Sequence, residues 1–495
     1  MTRPPLLALA PILIVSATAV IVMLAIAVRR HHGWVAAVSI AGLALALAST
    51  ALLLSGSTLP RAYGPLLIVD PFACFYMAMI LIAGLATAAL SHTYLRRYEG
   101  HREELYLLLI LSTLGGMVMV ASRHFTSFFV GLELLSMPMY GMAAYLVKER
   151  RSLEAGMKYL VLSAVASAFI VFGMALIYSQ TGTMVFGDIG VKLAELAGDG
   201  RLALLGGVLL LVGLGFKLSL APFHLWTPDV YEGAPAPVTS FLGTASKVAV
   251  FALLLRYAVD TRATRYPALV DALSLLALLS IIAGNVLALR QSNLKRLLAY
   301  SAIAHFGYIL VALIASGPFA TEAVGIYLLT YTVTTLAAFG VITLVSSPSQ
   351  HEIQALCDYR GLFWRHPGLA AVLTLALLSL AGVPLTAGFL GKFYVLGAGV
   401  DERRWLLLGA IVAGSAVGLY FYLRAMIQLY LRPEPVAVSE PSAPHWGRDA
   451  GAGMVVVLLL LMLVLGVYPS PFVKLTQAAG LERPPPAPAL TALRR

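Results

Sequence analysis

Long apolar runs, separated by charged residues, prolines and glycines, divide the chain. Each run is long enough for an α-helix to cross the hydrocarbon core of a bilayer, which takes about 20 residues. The pattern predicts an all-α polytopic membrane protein with fourteen transmembrane helices, at about 5–28, 33–55, 70–93, 105–122, 124–147, 154–179, 202–225, 236–258, 267–289, 294–316, 320–345, 367–397, 403–430 and 450–470. We therefore expect a single transmembrane domain over 1–475, followed by a Pro-rich tail over 476–495 that is extended around Glu482–Leu490.

The composition excludes a soluble protein. Of the 495 residues, 60% are apolar and 12% are charged, whereas a soluble domain keeps roughly a quarter of its residues charged. The net charge of +11 is spread over loops, so it indicates membrane topology and not binding of a nucleic acid. Lys and Arg are more frequent in the loops after odd-numbered runs. The positive-inside rule then predicts that both termini lie outside the cytoplasm.

The sequence offers no redox centre. Cys74 lies inside an apolar run, Cys357 lies in a polar loop, and the chain has no CxxC motif or Cys/His cluster. No predicted strand precedes a Gly-rich turn, so a nicotinamide or flavin site is not expected either. We therefore predict that this chain binds no metal and no redox cofactor.

Once the basic residues assigned to loops and run ends are set aside, four remain within the apolar runs, and all are lysines: Lys158, Lys217, Lys247 and Lys392. A lysine in an apolar interior can release its proton, whereas an arginine keeps its proton at accessible pH. Lys247 is central in its run. Lys158 is near the start of its run, so its side chain can instead reach the headgroups. Except where the side chain can reach the headgroups, the use of lysine in place of arginine favours a role in proton transfer.

One carboxylate and two histidines lie at comparable depth. Glu133 is far from both ends of its run, where a carboxylate is either neutral or paired with a cation. The alternative is a buried Glu–Lys pair that only fixes helix packing. His224 and His305 are candidate relay groups, although a single membrane histidine is often a hydrogen-bonded core residue. Asp229 and Glu232 are expected to be caps or loop charges.

Two predicted helices are interrupted. The segments LSLAPFHLWTP (Leu218–Pro228) and LSLAGVPLTAGFLGKFY (Leu378–Tyr394) lie five runs apart, and each is next to a membrane lysine. Interrupted helices at matching positions are typical of inverted repeats, here two five-helix units at about 105–258 and 267–430. Under that alignment Glu133 corresponds to the region of His305, and Lys217 corresponds to Lys392.

Three segments resemble a known family. They are Gly215–Arg256, which includes KLSLAPFHLWTPDVYEGAP, the segment NLKRLLAYSAIAHFGYIL (Asn293–Leu310) and the segment DYRGLFWRHP (Asp358–Pro367). They resemble the antiporter-like membrane subunits of bacterial NADH:quinone oxidoreductase, respiratory complex I, and among these the N-type subunits. The lysine at Lys392 is similar to the N type and differs from the glutamate of the M type.

The resemblance implies a subunit of the bacterial inner membrane that moves protons along a mid-membrane polar axis, driven by quinone reduction elsewhere. It implies that NADH, FMN, iron–sulfur clusters and quinone are bound by other subunits. The partners it implies are the lipid bilayer, the M and L subunits, and the small K, J and A subunits, without nucleic acid. Its implied proton path consists of Glu133 paired with Lys217, the central Lys247, the distal Lys392, the relays His224 and His305, and the additional Lys158.

Two alternatives stay open at this point. One is a subunit of a multi-component cation/proton antiporter or a membrane-bound hydrogenase, which would have the same fold and lysines. The other is a structural scaffold, in which the buried charges only fix helix packing.

Overall fold

The structure is a computed structural model that describes residues 6–56, 59–96, 98, 100–195, 200–315, 317–346, 352–432 and 449–481. The tail segment Glu482–Leu490 lies outside these residues. The described part forms twenty α-helices: α1 (Ala10–Val28), α2 (His32–Ser55), α3 (Pro71–Leu95), α4 (Glu104–Val120), α5 (Phe125–Ala143), α6 (Arg150–Thr181), α7 (Phe186–Glu195), α8 (Arg201–Leu218), α9 (Trp226–Gly233), α10 (Ala236–Phe241), α11 (Lys247–Asp260), α12 (Pro267–Ala288), α13 (Leu294–Ala315), α14 (Pro318–Val345), α15 (Leu362–Arg365), α16 (Pro367–Ala381), α17 (Ala387–Asp401), α18 (Trp405–Tyr430), α19 (Ala450–Val467) and α20 (Ser470–Ala478).

A few short elements complete the fold. Strands β1 (Arg61–Tyr63) and β2 (Leu67–Val69) form an antiparallel hairpin, in which Ala62 is paired with Ile68. Between α10 and α11, the segment Leu242–Ser246 is a π-helical turn. Such turns occur frequently at functional sites, because they shift the phase of the side chains that follow.

Eleven helical spans in the described part are long and apolar enough to cross a membrane. The apolar helices α4 and α16 are shorter. The prediction of an all-α polytopic membrane protein is therefore confirmed. The count of fourteen stays a prediction.

The helices that carry buried hydroxyl and amine groups lie inside the bundle. The span Ala236–Asp260 is buried throughout its most apolar stretch, and α13 and α14 are nearly as buried, whereas α1 and α2 expose most of their surface. Close packing of α4 on α5 depends on small residues, since a methyl group at Gly115 would lie 2.2 Å from the backbone nitrogen of Leu135. Hydroxyl and amine groups on the central helices are thus kept away from lipid.

Polar contacts cluster at two opposite ends of the bundle. At one end, Arg296 contacts Glu232 at 2.8 Å and Arg151 contacts the same carboxylate at 3.5 Å. At the other end, Arg256 contacts Asp70 at 2.7 Å. We call these the Glu232 end and the Asp70 end.

Both interruptions expected from the sequence are present. Helix α8 ends at Leu218, where Ser219 has φ +63°, and helical structure resumes at Trp226. Helix α16 ends at Ala381, where Gly382 has φ +82°. A methyl group at Gly382 would also lie 2.7 Å from Cδ of Lys392, so both the backbone conformation and the available space require glycine there.

Candidate functional site

Lys217 lies in the last turn of α8 and is held by hydroxyl groups. Its Nζ donates to Ser136 Oγ at 2.8 Å and to Ser163 Oγ at 2.6 Å. The hydroxyl of Tyr140 donates to Ser163 at 2.7 Å. The side chain is 4% exposed, so these contacts replace water around its amine.

Glu133 is close to this group without touching the lysine. It lies one helical turn before Ser136 on α5, and its Oε1 accepts a hydrogen bond of 2.6 Å from Ser167. Within the described residues, no ion pair of 4.0 Å or less joins Glu133 to Lys217. Ser163 and Ser167 are one turn apart on α6, and each contacts one of the two charged residues. The charged pair implied by the resemblance is therefore separated by hydroxyl groups in this structure.

Lys247 contacts the break between α8 and α9. It follows the π-helical turn and is 0% exposed. Its Nζ donates to the carbonyl oxygen of Leu218 at 3.0 Å and to Ser219 Oγ at 2.6 Å. The Leu218 carbonyl is free for this bond because the last carbonyls of a helix have no partner within the helix. The negative end of the α8 dipole faces the amine at the same point.

Two aromatic rings complete the surroundings of Lys247. Its Nζ lies 5.1 Å from the ring centre of Phe306 and 5.9 Å from that of Trp226. The Trp226 indole donates to the carbonyl of Phe216 at 3.1 Å, which fixes this ring against the end of α8. Lys247 is thus surrounded by two oxygen acceptors and apolar rings.

His224 lies in the break itself. Both of its ring nitrogens are buried and, apart from a weak contact with the main chain of Pro222, have no hydrogen-bond partner among the described residues. Its ring meets that of Tyr300 edge-on, at 6.5 Å between centres. Buried polar atoms are normally hydrogen-bonded to protein or to ordered water. The two nitrogens therefore mark a place where water molecules would bind.

His305 lies in a polar group of the second half of the chain. Its Nδ1 is 2.8 Å from the Tyr327 hydroxyl, and its Nε2 is 3.2 Å from the Tyr422 hydroxyl, which in turn is 2.5 Å from Ser301 Oγ. A cavity of about 10 Å³, which has room for one water molecule, lies beside His305 and Thr334.

Lys392 contacts the second break. It lies in α17, 7% exposed, and its Nζ donates to the carbonyl oxygen of Ala381 at 2.7 Å. Its Nζ lies 5.5 Å from the ring centre of Tyr308. Lys217 precedes its break and Lys392 follows its break. Lys392 is similar to Lys247 instead, because each donates to a carbonyl at the end of a helix.

Lys158 is not brought together with the other lysines. It is 40% exposed and pairs with Glu154 and Asp229, each at 2.7 Å. Arg296 contacts Asp229 as well, at 2.8 Å. Lys158 and Asp229 thus belong to an ion-pair network at the Glu232 end.

Two buried ion pairs were not found from the sequence. Lys295, which the sequence places at the very start of a run, is 0% exposed and lies 2.6 Å from Glu352. Arg256, which the sequence places at the end of a run, is 2% exposed and contacts Asp70 through both terminal nitrogens. The sequence offered a signal for Asp70, because this residue is a carboxylate at the first position of an apolar run. Nothing comparable marks Glu352.

Comparisons with known proteins agree on one family. Residues 122–418 match the model described as NADH:quinone oxidoreductase/Mrp antiporter, TM. The chain is 54% identical over 486 residues to NADH-quinone oxidoreductase subunit N of Ectopseudomonas mendocina (strain ymp), covering 97% of each chain. It is 49% identical over 482 residues to the same-named subunit of Acinetobacter baumannii (strain AB0057), covering 97% of this chain and 96% of the relative.

Solved structures share the fold. A chain of respiratory complex I from Thermus thermophilus with bound aureothin is 37% identical, with a TM-score of 0.81 over 95% of this chain and 100% of that chain. A chain of the Mrp complex from Dietzia sp. DQ12-45-1b is 20% identical, with a TM-score of 0.81 over 96% of this chain and 97% of that chain.

Proposed function

Because this chain belongs to the NADH:quinone oxidoreductase/Mrp antiporter family of transmembrane proteins, we propose a proton path through it that uses the residues described above. The chain is a proton-translocating membrane subunit of NADH:quinone oxidoreductase and takes part in that enzyme's translocase activity. NADH, FMN, the iron–sulfur clusters and quinone belong to other subunits.

The proposed path runs from Glu133 through Lys217 and Lys247 to Lys392, with His224 and His305 as relay groups. The observation that carries it is the kind of partner that Lys217, Lys247 and Lys392 have. Each is buried, and among the described residues each is bonded to hydroxyl or carbonyl oxygens and to no carboxylate. A permanently charged buried cation is normally paired with a carboxylate, whereas a group that carries protons must exist in both forms. Lys158 has carboxylate partners, so we give it a supporting role at the Glu232 end.

We propose that the contact between Glu133 and Lys217 alternates. In this structure the two are separated by the hydroxyls of Ser163 and Ser167. Two unit charges about 8 Å apart interact by about 2 kcal/mol at an effective dielectric constant near 20, which changes a protonation equilibrium about thirtyfold. If Lys217 moved toward Glu133, the electrostatic energy of a proton on Lys247 would change by up to this amount. Lys247 would then pass its proton toward Lys392.

We also propose the finer architecture. With α5 as one span, and α8–α9 and α16–α17 as broken spans, the helices make fourteen crossings. In support, Arg296 contacts Glu232 at one end, and the Ile68 backbone N–H donates to the Ala121 carbonyl at the other. The crossings would form two inverted repeats at about 105–258 and 267–430 within a domain of 1–475. The loop charges support a cytoplasmic Glu232 end, with both termini on the outer side of the bacterial inner membrane.

The partners would be other membrane subunits of the same complex. Helix α5 exposes Val130 by 53% and Met137 by 62%, on either side of the partly exposed Glu133. A carboxylate on an apolar exposed face is costly in contact with lipid, which supports a neighbouring subunit there. We expect the neighbours to be among the M, L, K, J and A subunits.

The test is Lys392→Met, which keeps the length of the side chain and removes the amine. The matched control is Lys192→Met, since Lys192 is an exposed residue of α7 and its one ion pair among the described residues is with Glu195. Proton pumping and quinone reduction are measured per assembled complex in inverted membrane vesicles. We expect Lys392→Met to lower pumping severely and Lys192→Met to leave it unchanged. Normal pumping with Lys392→Met would instead support the scaffold alternative.

A further inference from the structure

The span that carries Lys247 has two chemically different halves. Between Ala236 and Ser246, hydroxyl groups occur at four positions, namely Thr239, Ser240, Thr244 and Ser246. On the other side, Val248–Leu255 is entirely apolar and buried. Lys247 lies at the boundary between these halves. A polar route to its amine along this span therefore leads toward the Glu232 end only.

The apolar half is closed at the Asp70 end. The guanidinium of Arg256 donates to both carboxylate oxygens of Asp70, at 2.8 and 2.7 Å, and lies 4.5 Å from the ring centre of Phe72. Both charged side chains are nearly buried. Such a two-bond pair is geometrically fixed.

The hydroxyl half faces a second row of hydroxyls on α3. Thr87, Ser91 and Tyr94 follow one another at helical spacing and share a face. Thr87 Oγ1 lies 3.3 Å from Ser240 Oγ, which joins the two rows. The Ser91 hydroxyl is buried and has no hydrogen-bond partner among the described residues. We call the hydroxyls of Thr87, Ser91, Tyr94, Ser240 and Thr244 the hydroxyl row.

A second unpartnered hydroxyl lies further along this route. The Tyr231 hydroxyl is buried and has no hydrogen-bond partner in the described part of the chain. It is next to the π-helical turn, because a methyl group at Gly243 would lie 2.9 Å from its oxygen. From Ala236 to Lys247 the helix rises about 16 Å at 1.5 Å per residue. Water molecules bound at Ser91 and Tyr231 would fill the gaps between hydroxyls over this distance.

Glu352 stands where the hydroxyl row meets the surface. Its Oε1 accepts from the Tyr94 hydroxyl at 2.5 Å and from the Ala236 backbone N–H at 2.8 Å, and its Oε2 accepts from Lys295 at 2.6 Å. The same carboxylate lines an open cleft of about 480 Å³, together with Glu149 and other charged residues. Glu352 thus lines the cleft and also contacts Tyr94, the member of the row nearest the surface.

We propose that Lys247 receives its protons from the Glu232 end through the hydroxyl row, and that the Glu352–Lys295 pair is the entrance. This inference rests on the proposed function of Lys247. The proton passes as an excess proton from hydroxyl or water oxygen to the next oxygen, so each donor is restored by the group behind it. The Asp70–Arg256 pair prevents exchange of Lys247 with the opposite side along the same span.

The first test removes hydroxyls from the end of the row nearest Lys247. The double variant Ser240→Ala/Thr244→Val keeps side-chain volume nearly constant. We expect proton pumping per assembled complex to fall about fivefold, which is the effect on a rate of losing one hydrogen bond of about 1 kcal/mol. Ser240→Thr and Thr244→Ser retain the hydroxyl and should retain pumping, a difference that a packing role would not produce.

The matched control is Thr50→Val. The Thr50 hydroxyl is fully buried in α2 and, among the described residues, bonds to the Ala46 carbonyl of its own helix at 2.8 Å, as the Thr244 hydroxyl bonds to the Ser240 carbonyl at 2.6 Å; Thr50 is therefore matched in its bonding but lies outside the row. We expect no loss of pumping with this variant. If the Ser240→Ala/Thr244→Val complex pumps at the normal rate, the hydroxyl row is not the route and the inference is wrong.

The second test concerns the entrance. Glu352→Gln/Lys295→Gln removes both charges together, so no buried charge is left unpaired, and assembly can be measured separately by the amount of complex in the membrane. We expect pumping per assembled complex to fall severalfold. Normal pumping would exclude the pair as the entrance. If Lys247→Arg pumps normally in the same vesicles, the proposed function fails; if only the hydroxyl variants pump normally, only the route fails.

Discussion

Replacing Lys247 with arginine separates a fixed charge from a proton carrier. The native amine donates to two oxygen atoms, those of Leu218 and Ser219, in a site with 0% exposure. A guanidinium carries the same charge and can reach the same oxygens. It brings five N–H donors to a site that offers two acceptors, and it keeps its proton.

The expected size of the effect follows from the two side chains. In water the reference pKa is about 10.4 for lysine and at least about 12.5 for arginine, so in one environment the neutral form of arginine is at least about 100-fold rarer. That difference corresponds to about 3 kcal/mol. No carboxylate lies close to Lys247 among the described residues that would favour the charged form for structural reasons. We therefore expect proton pumping to fall at least about tenfold. The expected factor is smaller than about 100 because other steps can limit the native rate.

The assay is dye-monitored acidification of inverted membrane vesicles on addition of NADH, together with the quinone-reductase rate, both per assembled complex. Lys192→Arg is the control, because Lys192 is exposed and, in the described part of the chain, its ion pair is with Glu195, at 3.0 Å. Lys247→Ala sets the level for loss of the amine. Native pumping with Lys247→Arg would refute the proposal that this lysine carries a proton.

Three further predictions use the same logic. Lys217→Arg should lose less pumping than Lys247→Arg, since its hydroxyl partners can accept from a guanidinium and its charge can still attract Glu133. Glu133→Gln keeps an oxygen that can accept the existing hydrogen bond of 2.6 Å, so the amount of assembled complex should stay near normal while pumping falls; collapse of assembly with normal activity per complex would favour the scaffold alternative. Membrane-impermeant thiol reagents should label the exposed Cys357 in inverted vesicles but not in intact cells, and should not label the buried Cys74; labelling of Cys357 in intact cells would reverse the proposed topology.

Much of the site could be predicted because membrane depth can be estimated from the sequence. Lys247 lies far from both ends of its run, and the structure buries it completely. The prolines and glycines near Leu218 and Ala381 predicted the two breaks, since these residues cannot continue a regular helix. Lys158 was left with two interpretations, and in the structure its side chain is partly exposed and paired with Asp229.

The remaining features depend on contacts between distant segments. Lys295 and Arg256 lie near the ends of their runs, where hydropathy predicts exposure. They are buried because other segments cover them, and their partners are distant in the sequence: Glu352 lies outside the predicted helices and Asp70 lies at the first residue of another one. The hydroxyls between Glu133 and Lys217 could not be predicted either. Ser163 and Ser167 lie on a third helix, and the hydropathy pattern does not determine how that helix is rotated about its axis.

Three of the buried amines share one kind of partner. Lys247, Lys392 and Lys295 each donate to a main-chain carbonyl, and these carbonyls lie at a break or between two helices. A main-chain oxygen is present whatever side chain its residue carries, so mutation of that residue does not delete the acceptor. Such contacts can persist during sequence divergence as long as the path of the backbone is retained. Substitutions at Gly382, which change the backbone conformation and the space beside Lys392, should therefore be tolerated less than substitutions at Leu218 or Ala381, whose carbonyls bind the amines.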